Sequence, residues 1–265
     1  MAEPRYGYDS RLQMSPDPIL LLHGQPGGIR DWDRVVAALG PDAAPIPIYR
    51  PGWDGRSRPL DLRGNADAAA AALDRAGVAR ATVVGHSLGA GVAAWLAVAH
   101  PDRVGALVLA SPGANTAVLD GFDRALAAPI LGAWLSAGGL AGIGLTLALA
   151  PARRLVAQRL GLDEDFLRAG SRLLLRPAAW HAFVNEQRAL FKDLPALEER
   201  LAEIAVPTTI VSGSADRIVT PRAARLLAEQ IPGAELELIE GAGHLLPHQH
   251  GPALAAIVAR AAARA

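Results

Sequence analysis

"VVGHSLGAG", residues 83–91, decides how the rest of the chain is read. A short apolar run ends in Gly85-His86-Ser87-Leu88-Gly89. Leu88, Val92, Trp95, Leu96 and Ala99 then recur at helical spacing until Pro101 stops the pattern. A serine between two glycines, where a strand turns into a helix, has two readings. It can cap the helix. It can also be a nucleophile on a strained turn, with its hydroxyl pointing out of the sheet. Glycine neighbours then let strand and helix approach closely, and the helix start offers N–H groups where negative charge develops.

Composition narrows the surroundings of that serine. A chain of 265 residues, 51% of them apolar, buries a sizeable core and does not read as disordered. Its formal net charge is zero, which argues against an electrostatic nucleic-acid partner. It has no cysteine, so disulfides, thiolate catalysis and cysteine-ligated zinc are excluded. That fits a reducing compartment, and a cytoplasmic location is expected. The first 18 residues carry charges of both signs and no apolar core segment, so they do not read as a secretory signal.

Other apolar runs repeat the strand-then-turn pattern. They are "PILLLHG" from Pro18, "VGALVLASPG" from Val104, "TTIVSGSAD" from Thr208 and "AELELIEGAGH" from Ala234. "PIPIY" from Pro45 is a weaker strand because of its prolines. Continuous apolar runs imply strands covered on both faces, hence a mostly parallel sheet. Helices are expected from Asn65, as a cap, to Gly77, over Ala223–Gln230, and from Ala253 onward. The alternation predicts a doubly wound α/β fold. Between Pro112 and about Ala205 no strand is evident. The expected organisation is a core from 1–111 and 206–265, interrupted by a helical insertion over 112–205.

A nucleophilic serine needs a base, and the base an orienting acid. His244 lies in the glycine-rich "IEGAGHLLPH" after the last strand, and Asp216 in "IVSGSADRIVTP" follows the strand before it. Loops after parallel strands gather at one edge, so Ser87, Asp216 and His244 converge there. Asp120 and Asp123, beyond the preceding strand, are rival acids. His23 and His86 read as loop-holding residues. His248 and His250 in "PHQHG" invite a metal reading but lack a third ligand, and no metal is expected.

With these residues in place the chain resembles the α/β-hydrolase superfamily, in its serine-hydrolase branch with a helical cap. "LLHGQPGG" is similar to the family's oxyanion loop, "YRPGWDGRSRP" to the loop after the next strand, and "IEGAGHLLPH" to its histidine loop. The order Ser, Asp, His is the family's order. The resemblance implies that the backbone N–H groups of Gln25 and Leu88 form the oxyanion hole and that no cofactor is needed. One departure is that only about 18 residues precede "PILLLHG", so the family's opening antiparallel hairpin is expected to be short or partly missing.

The resemblance also sorts reactions. Epoxide hydrolases and haloalkane dehalogenases of this family place an aspartate where Ser87 stands. The former also need tyrosines in the cap, and Tyr6, Tyr8 and Tyr49 all precede it. Plant-type hydroxynitrile lyases carry a lysine where Leu245 stands, and the carbon–carbon bond hydrolases favour tryptophan there. Cofactor-free haloperoxidases usually show an aromatic where Gln25 stands and a methionine where Leu88 stands. Hydrolysis of a carboxylic ester, lactone or thioester of a small to medium apolar substrate is the expected reaction. The alternatives are a carbon–carbon bond hydrolase, a perhydrolase or haloperoxidase-like member, and a non-catalytic ligand-binding protein on the same fold.

One segment raises a membrane question. No charged residue occurs from Ala125 to Ala152, and that stretch is long enough to span a bilayer. Inside an insertion it reads as a wall of the cap instead. A helix apolar all round has to be buried or to line a cavity. Trp134, Leu135, Leu140, Ile143 and Leu147 are therefore expected to wall a pocket over Ser87. Gly138, Gly139, Gly142 and Gly144 are expected to offer close approach.

Overall fold

A computed structural model describes residues 17–265. The readings of the chain's start and of a shortened opening hairpin fall on residues 1–16, outside those described. Six strands are β1 (Ile19–Leu22), β2 (Pro45–Ile48), β3 (Ala81–His86), β4 (Val104–Ala110), β5 (Thr208–Gly213) and β6 (Glu235–Ile239). They form one sheet in the order β2-β1-β3-β4-β5-β6, with every neighbouring pair parallel.

Helices α1 (Asp33–Leu39), α2 (Leu62–Arg75) and α3 (Leu88–Ala99) accompany the first strands. Between β4 and β5 come α4 (Gly121–Ala127), α5 (Leu131–Ala148), α6 (Ala150–Leu160), α7 (Glu164–Leu174) and α8 (Pro177–Glu198). Helices α9 (Pro221–Gln230), α10 (Leu246–Gln249) and α11 (Gly251–Ala262) complete the chain.

The apolar runs are buried along their whole length in β1, β3, β4 and β5 because helices cover both faces. Alternate side chains serve opposite layers, as a strand's period of two requires. Leu20, Leu22, Val83, Leu107 and Leu109 pack with α2, α3 and α9. Ile19, Leu21, Val84, Val108 and Val211 pack with α1 and α11. Pro45 and Pro47 are tolerated because β2 is an edge strand. The other edge, β6, presents Glu237 and Glu235 to Arg260 and Arg264, each pair at 2.7 Å. Charge along an edge discourages pairing with a second sheet.

One expected helix start moves. The cap of α2 is Asp61, whose carboxylate accepts the Gly64 N–H at 2.9 Å. Asn65 lies inside the helix and donates to the Leu60 and Asp61 carbonyls at 3.0 and 2.9 Å. The helix starts there because the buried Asp193 of α8 accepts its first N–H, that of Leu62, at 2.8 Å; Asp61 also meets Lys192 at 3.0 Å.

The five inserted helices have a small apolar core of their own, built around Leu140, Leu147, Leu162, Leu167 and Leu174. α8 ties them to the sheet. Asp193 accepts the Leu62 N–H at 2.8 Å, and Glu186 pairs with Arg50, both side chains being buried. α5 is long and apolar enough to cross a membrane by length and composition alone. It lies inside this insertion, packed on α4, α7 and α8, with Gly132, Ser136, Leu140, Gly144 and Leu147 buried.

Candidate active site

Ser87 ends β3 and starts α3, in a backbone conformation (φ 53°, ψ −123°) that side-chain-bearing residues rarely adopt. Three backbone hydrogen bonds hold it there. Its N–H donates to the Ala110 carbonyl at 2.9 Å. Its own carbonyl accepts from Ala90 at 2.9 Å and Gly113 at 3.0 Å. The flanking glycines are required by space. A Cβ on Gly85 would overlap the Gly89 carbonyl and lie 2.6 Å from the Ala90 Cα. One on Gly89 would overlap the Leu22 carbonyl at the end of β1.

Loops from two further strand ends complete the arrangement. The His244 Nε2 lies 3.0 Å from the Ser87 hydroxyl, and its Nδ1 lies 2.9 Å from Asp216 Oδ2. The other Asp216 oxygen accepts the N–H groups of Ile218 and Val219 at 2.9 and 3.0 Å. Burial pushes the Asp216 carboxyl up. The hydrogen bond and charge of His244, with the Ile218 N–H, outweigh that and hold it below the usual range. Asp216 is thus an ionised acceptor. It fixes the tautomer in which Nδ1 carries the proton and Nε2 is free to accept one.

Asp120 and Asp123 do not approach this histidine. Asp120 caps α4 by accepting the Phe122 and Asp123 N–H groups at 2.8 and 2.9 Å. Asp123 accepts from Gln187 at 3.2 Å, and Gln187 in turn accepts from the Gln25 side chain at 2.7 Å.

His86 and His23 hold backbone. His86 donates to the His244 carbonyl at 2.9 Å. Burial, then the neighbouring His244 charge, pushes its pKa down to about 3. His23 donates to the Gly24 carbonyl at 2.7 Å and accepts the Arg50 N–H at 3.1 Å. Burial drives His248 down to about 4, and its ring lies 4.3 Å from that of Phe166, tilted by 45°. Among the described residues no three His, Cys, Asp or Glu side chains gather as a metal site.

Ser87, Leu88, Gln25 and His244 lie on the wall of a cavity of about 1640 Å³ between the sheet edge and the inserted helices. Gly24 passes so close that a Cβ there would stand 3.0 Å from the Ser87 Cβ. The backbone leading into Gln25 therefore passes beside Ser87 at the start of α3.

A model of the α/β-hydrolase fold family matches residues 17–251. The chain belongs to this family. It is 29% identical over 248 residues to 2-hydroxy-6-oxononadienedioate/2-hydroxy-6-oxononatrienedioate hydrolase 2 of Pseudomonas putida, covering 88% of this chain and 83% of the relative. It is 31% identical over 247 residues to a pimeloyl-[acyl-carrier protein] methyl ester esterase of Neisseria meningitidis serogroup B, covering 90% of each. Among solved structures, an esterase of Exiguobacterium antarcticum superposes with a TM-score of 0.75 at 20% identity, covering 94% of this chain and 92% of that one. The protein is a hydrolase by family and by these enzyme relatives.

The cavity wall of this hydrolase differs from the expected one. Ile143 and Leu147 line it. Leu140 is buried in the inserted helices' own core, while Trp134 and Leu135 are 77% and 42% exposed and do not line the cavity. The physical reason is that α5 is apolar on every face, so composition cannot say which face turns inward. Tertiary packing on α7 selects it, through Gly144 against Leu175 and the Ser171 hydroxyl on the Gly144 carbonyl at 2.7 Å. Of the four glycines only Gly144 makes the close approach; Gly138, Gly139 and Gly142 leave open space on the cavity side. Much of the wall comes instead from α7 and α8, including Phe166, Leu167, Leu173 and Phe183.

Sequence reading missed Arg50, Trp53 and Glu186. Arg50 is buried beneath the cavity and donates to the His23 and Gly24 carbonyls, both at 2.8 Å. Its guanidinium also meets Glu186, which accepts the Trp53 indole N–H at 3.0 Å. Burial pushes the Glu186 carboxyl up, and Arg50 opposes it. "YRPGW" offered a local sign of Arg50; nothing near Glu186 in sequence marks that residue.

Proposed function

We propose that the protein is a serine hydrolase that cleaves a carboxylic ester, lactone or thioester of an apolar acyl group through an acyl-enzyme. The observation that carries this is the hydrogen-bonded series Ser87–His244–Asp216 on the wall of a largely apolar cavity. In this reading His244 takes the Ser87 proton on Nε2 as the serine oxygen attacks the acyl carbon. Asp216 stabilises the imidazolium without itself accepting the proton. The N–H groups of Gln25 and Leu88 hold the developing oxyanion, usually a large share of such catalysis. His244 then hands the proton to the leaving alcohol or thiol. A water activated by the same nitrogen releases the acid and restores Ser87. These groups suffice without a cofactor, and the inserted helices act as the cap over the site.

The test is covalent labelling. A fluorophosphonate should modify the protein once, on Ser87, and Ser87→Ala should abolish both labelling and ester turnover. Labelling undiminished in Ser87→Ala overturns the assignment.

A second reading has its own support. The relative from Pseudomonas putida is a hydrolase of an oxo-dienedioate, so the same residues could serve carbon–carbon bond hydrolysis. Leu245 after His244 favours the ester reading. Turnover of a vinylogous 1,5-diketone faster than of any ester would select the alternative.

A further inference from the structure

We propose that the cavity carries an anion subsite away from Ser87, formed by Arg56, Arg172 and Arg176. It takes a carboxylate or phosphate at the end of the substrate remote from the bond cleaved. This rests on the ester-hydrolase reading above. Arg172 and Arg176 stand four residues apart across the end of α7, and both line the cavity. The Arg176 Nη1 lies 3.6 Å from the Cβ position of Gly55, so it stands against the turn that presents Arg56. Three arginines from two separate segments thus line the one cavity, each of them reaching solvent.

Their partners make the cluster unusual. Arg30, also on the cavity, is neutralised by Asp33 at 3.2 Å. Arg56, Arg172 and Arg176 have no ion pair and no side-chain hydrogen bond among the described residues. Asp54, beside this turn, acts on Arg56 by its charge and is itself tied into the turn, accepting the Arg56 and Ser57 N–H groups and the Ser57 hydroxyl, each at 2.9 Å.

Like charges gathered without partners repel, and a bound anion relieves that repulsion. The guanidinium fork matches the oxygens of a carboxylate or phosphate. Neighbouring wall positions include the apolar Leu173 and Phe183, so the charged donors an anion meets on this part of the wall are these arginines. A cavity of about 1640 Å³ exceeds the roughly 300–1,000 Å³ of ordinary ligand pockets, leaving room for an end group beyond the acyl chain. The substrate class is therefore an amphipathic acyl compound, apolar along its length and anionic at its far end.

The experiment compares methyl esters of straight-chain acids that end in a carboxylate, a phosphate or a methyl group, over a range of lengths. The anionic esters should be favoured in kcat/KM only once the chain is long enough to reach the arginines, and added salt should reduce the preference. The anionic-to-methyl ratio should fall roughly tenfold in Arg172→Gln/Arg176→Gln, the scale of a hydrogen bond to a charged group. Arg172→Glu/Arg176→Glu should turn the preference toward an ω-ammonium ester. The better of the carboxylate and phosphate arms identifies the end group. A ratio that does not move in either double variant, or a methyl preference at every length, overturns the subsite. Calorimetry with Ser87→Ala separates this from the chemistry. Arginine-dependent binding of the anionic ester by that variant, with no ester turned over by the unaltered protein, supports the subsite and removes the ester reading. Equal binding of anionic and methyl esters overturns the subsite.

Discussion

Arg50, in the loop after β2, and Glu186, on α8, form an ion pair in which the side chains are 1% and 0% exposed. The pair joins the sheet to the inserted helices, because Arg50 also holds the carbonyls of His23 and Gly24 beside Ser87. A buried pair of this kind is weak evidence for net stability, since desolvation offsets much of the attraction. Breaking it is another matter. Glu186→Met leaves a guanidinium buried and unpaired, and should cost about 3–5 kcal/mol. Arg50→Met/Glu186→Met should cost far less than the two single changes together. Urea midpoints of the four proteins test this; additive losses would show that the two groups are not coupled.

In the proposed mechanism Asp216, 2.9 Å from the His244 Nδ1, is the acid that orients the base. Asp216→Asn should lower kcat by up to about 10⁴-fold, the loss seen for the corresponding change in another serine hydrolase. Asp120→Asn should leave turnover within a few-fold, because that residue only caps α4. The reverse ranking in steady-state kinetics would move the acid to α4.

The wall from Ile143, Leu147 and α7 should read the length of an uncharged acyl chain. For aryl esters kcat/KM should rise from acetate to a medium-length acyl group, then fall once the apolar stretch is full. Each useful methylene should add up to about fourfold, from roughly 0.8 kcal/mol of transfer energy. Leu147→Ala should weaken that gain, and Trp134→Ala, at an exposed position, should not. A flat length profile would refute an apolar acyl site.

Asp31 makes stability depend on pH. Burial raises its carboxyl from 3.8 to about 7, against the opposing Gly28 N–H. The folded protein keeps this proton while the unfolded chain loses it. The contribution to stability is therefore full below about pH 4 and is lost as the pH rises to about 7, by at most about 4 kcal/mol. Asp31→Asn can still accept the Gly28 N–H and cannot ionise. It should be more stable than the unaltered protein at pH 8, with the advantage vanishing by pH 4. His86 has the opposite sign. Its pKa is lowered from 6.5 to about 3, so its contribution is full above pH 6.5 and is lost as the pH falls toward 3. Denaturant midpoints at pH 4, 6 and 8 for both proteins check the sign; parallel curves would exclude Asp31 as the cause.

Much of this protein is legible in local sequence because the constraints are local. Gly85 and Gly89 are excluded from bearing side chains by Gly89, Ala90 and Leu22, so the elbow around Ser87 leaves its mark within five residues. Continuous apolar runs announce strands covered on both faces, and parallel strands bring the residues at their ends to one edge, which is why Asp216 and His244 could be paired with Ser87 across the chain. Tertiary structure alone decided the rest. α5 has no polar face, so its sequence does not distinguish Leu147 on the cavity from Trp134 in solvent; contact with α7 does. Asp61 displaced Asn65 as the cap of α2 where a buried aspartate of α8, 131 residues from Leu62, takes the helix's first N–H. The partner of Arg50 lies 136 residues further on, in a helix whose neighbours give no hint of it. A buried charge finds its counter-charge through space, and no local spacing records that choice.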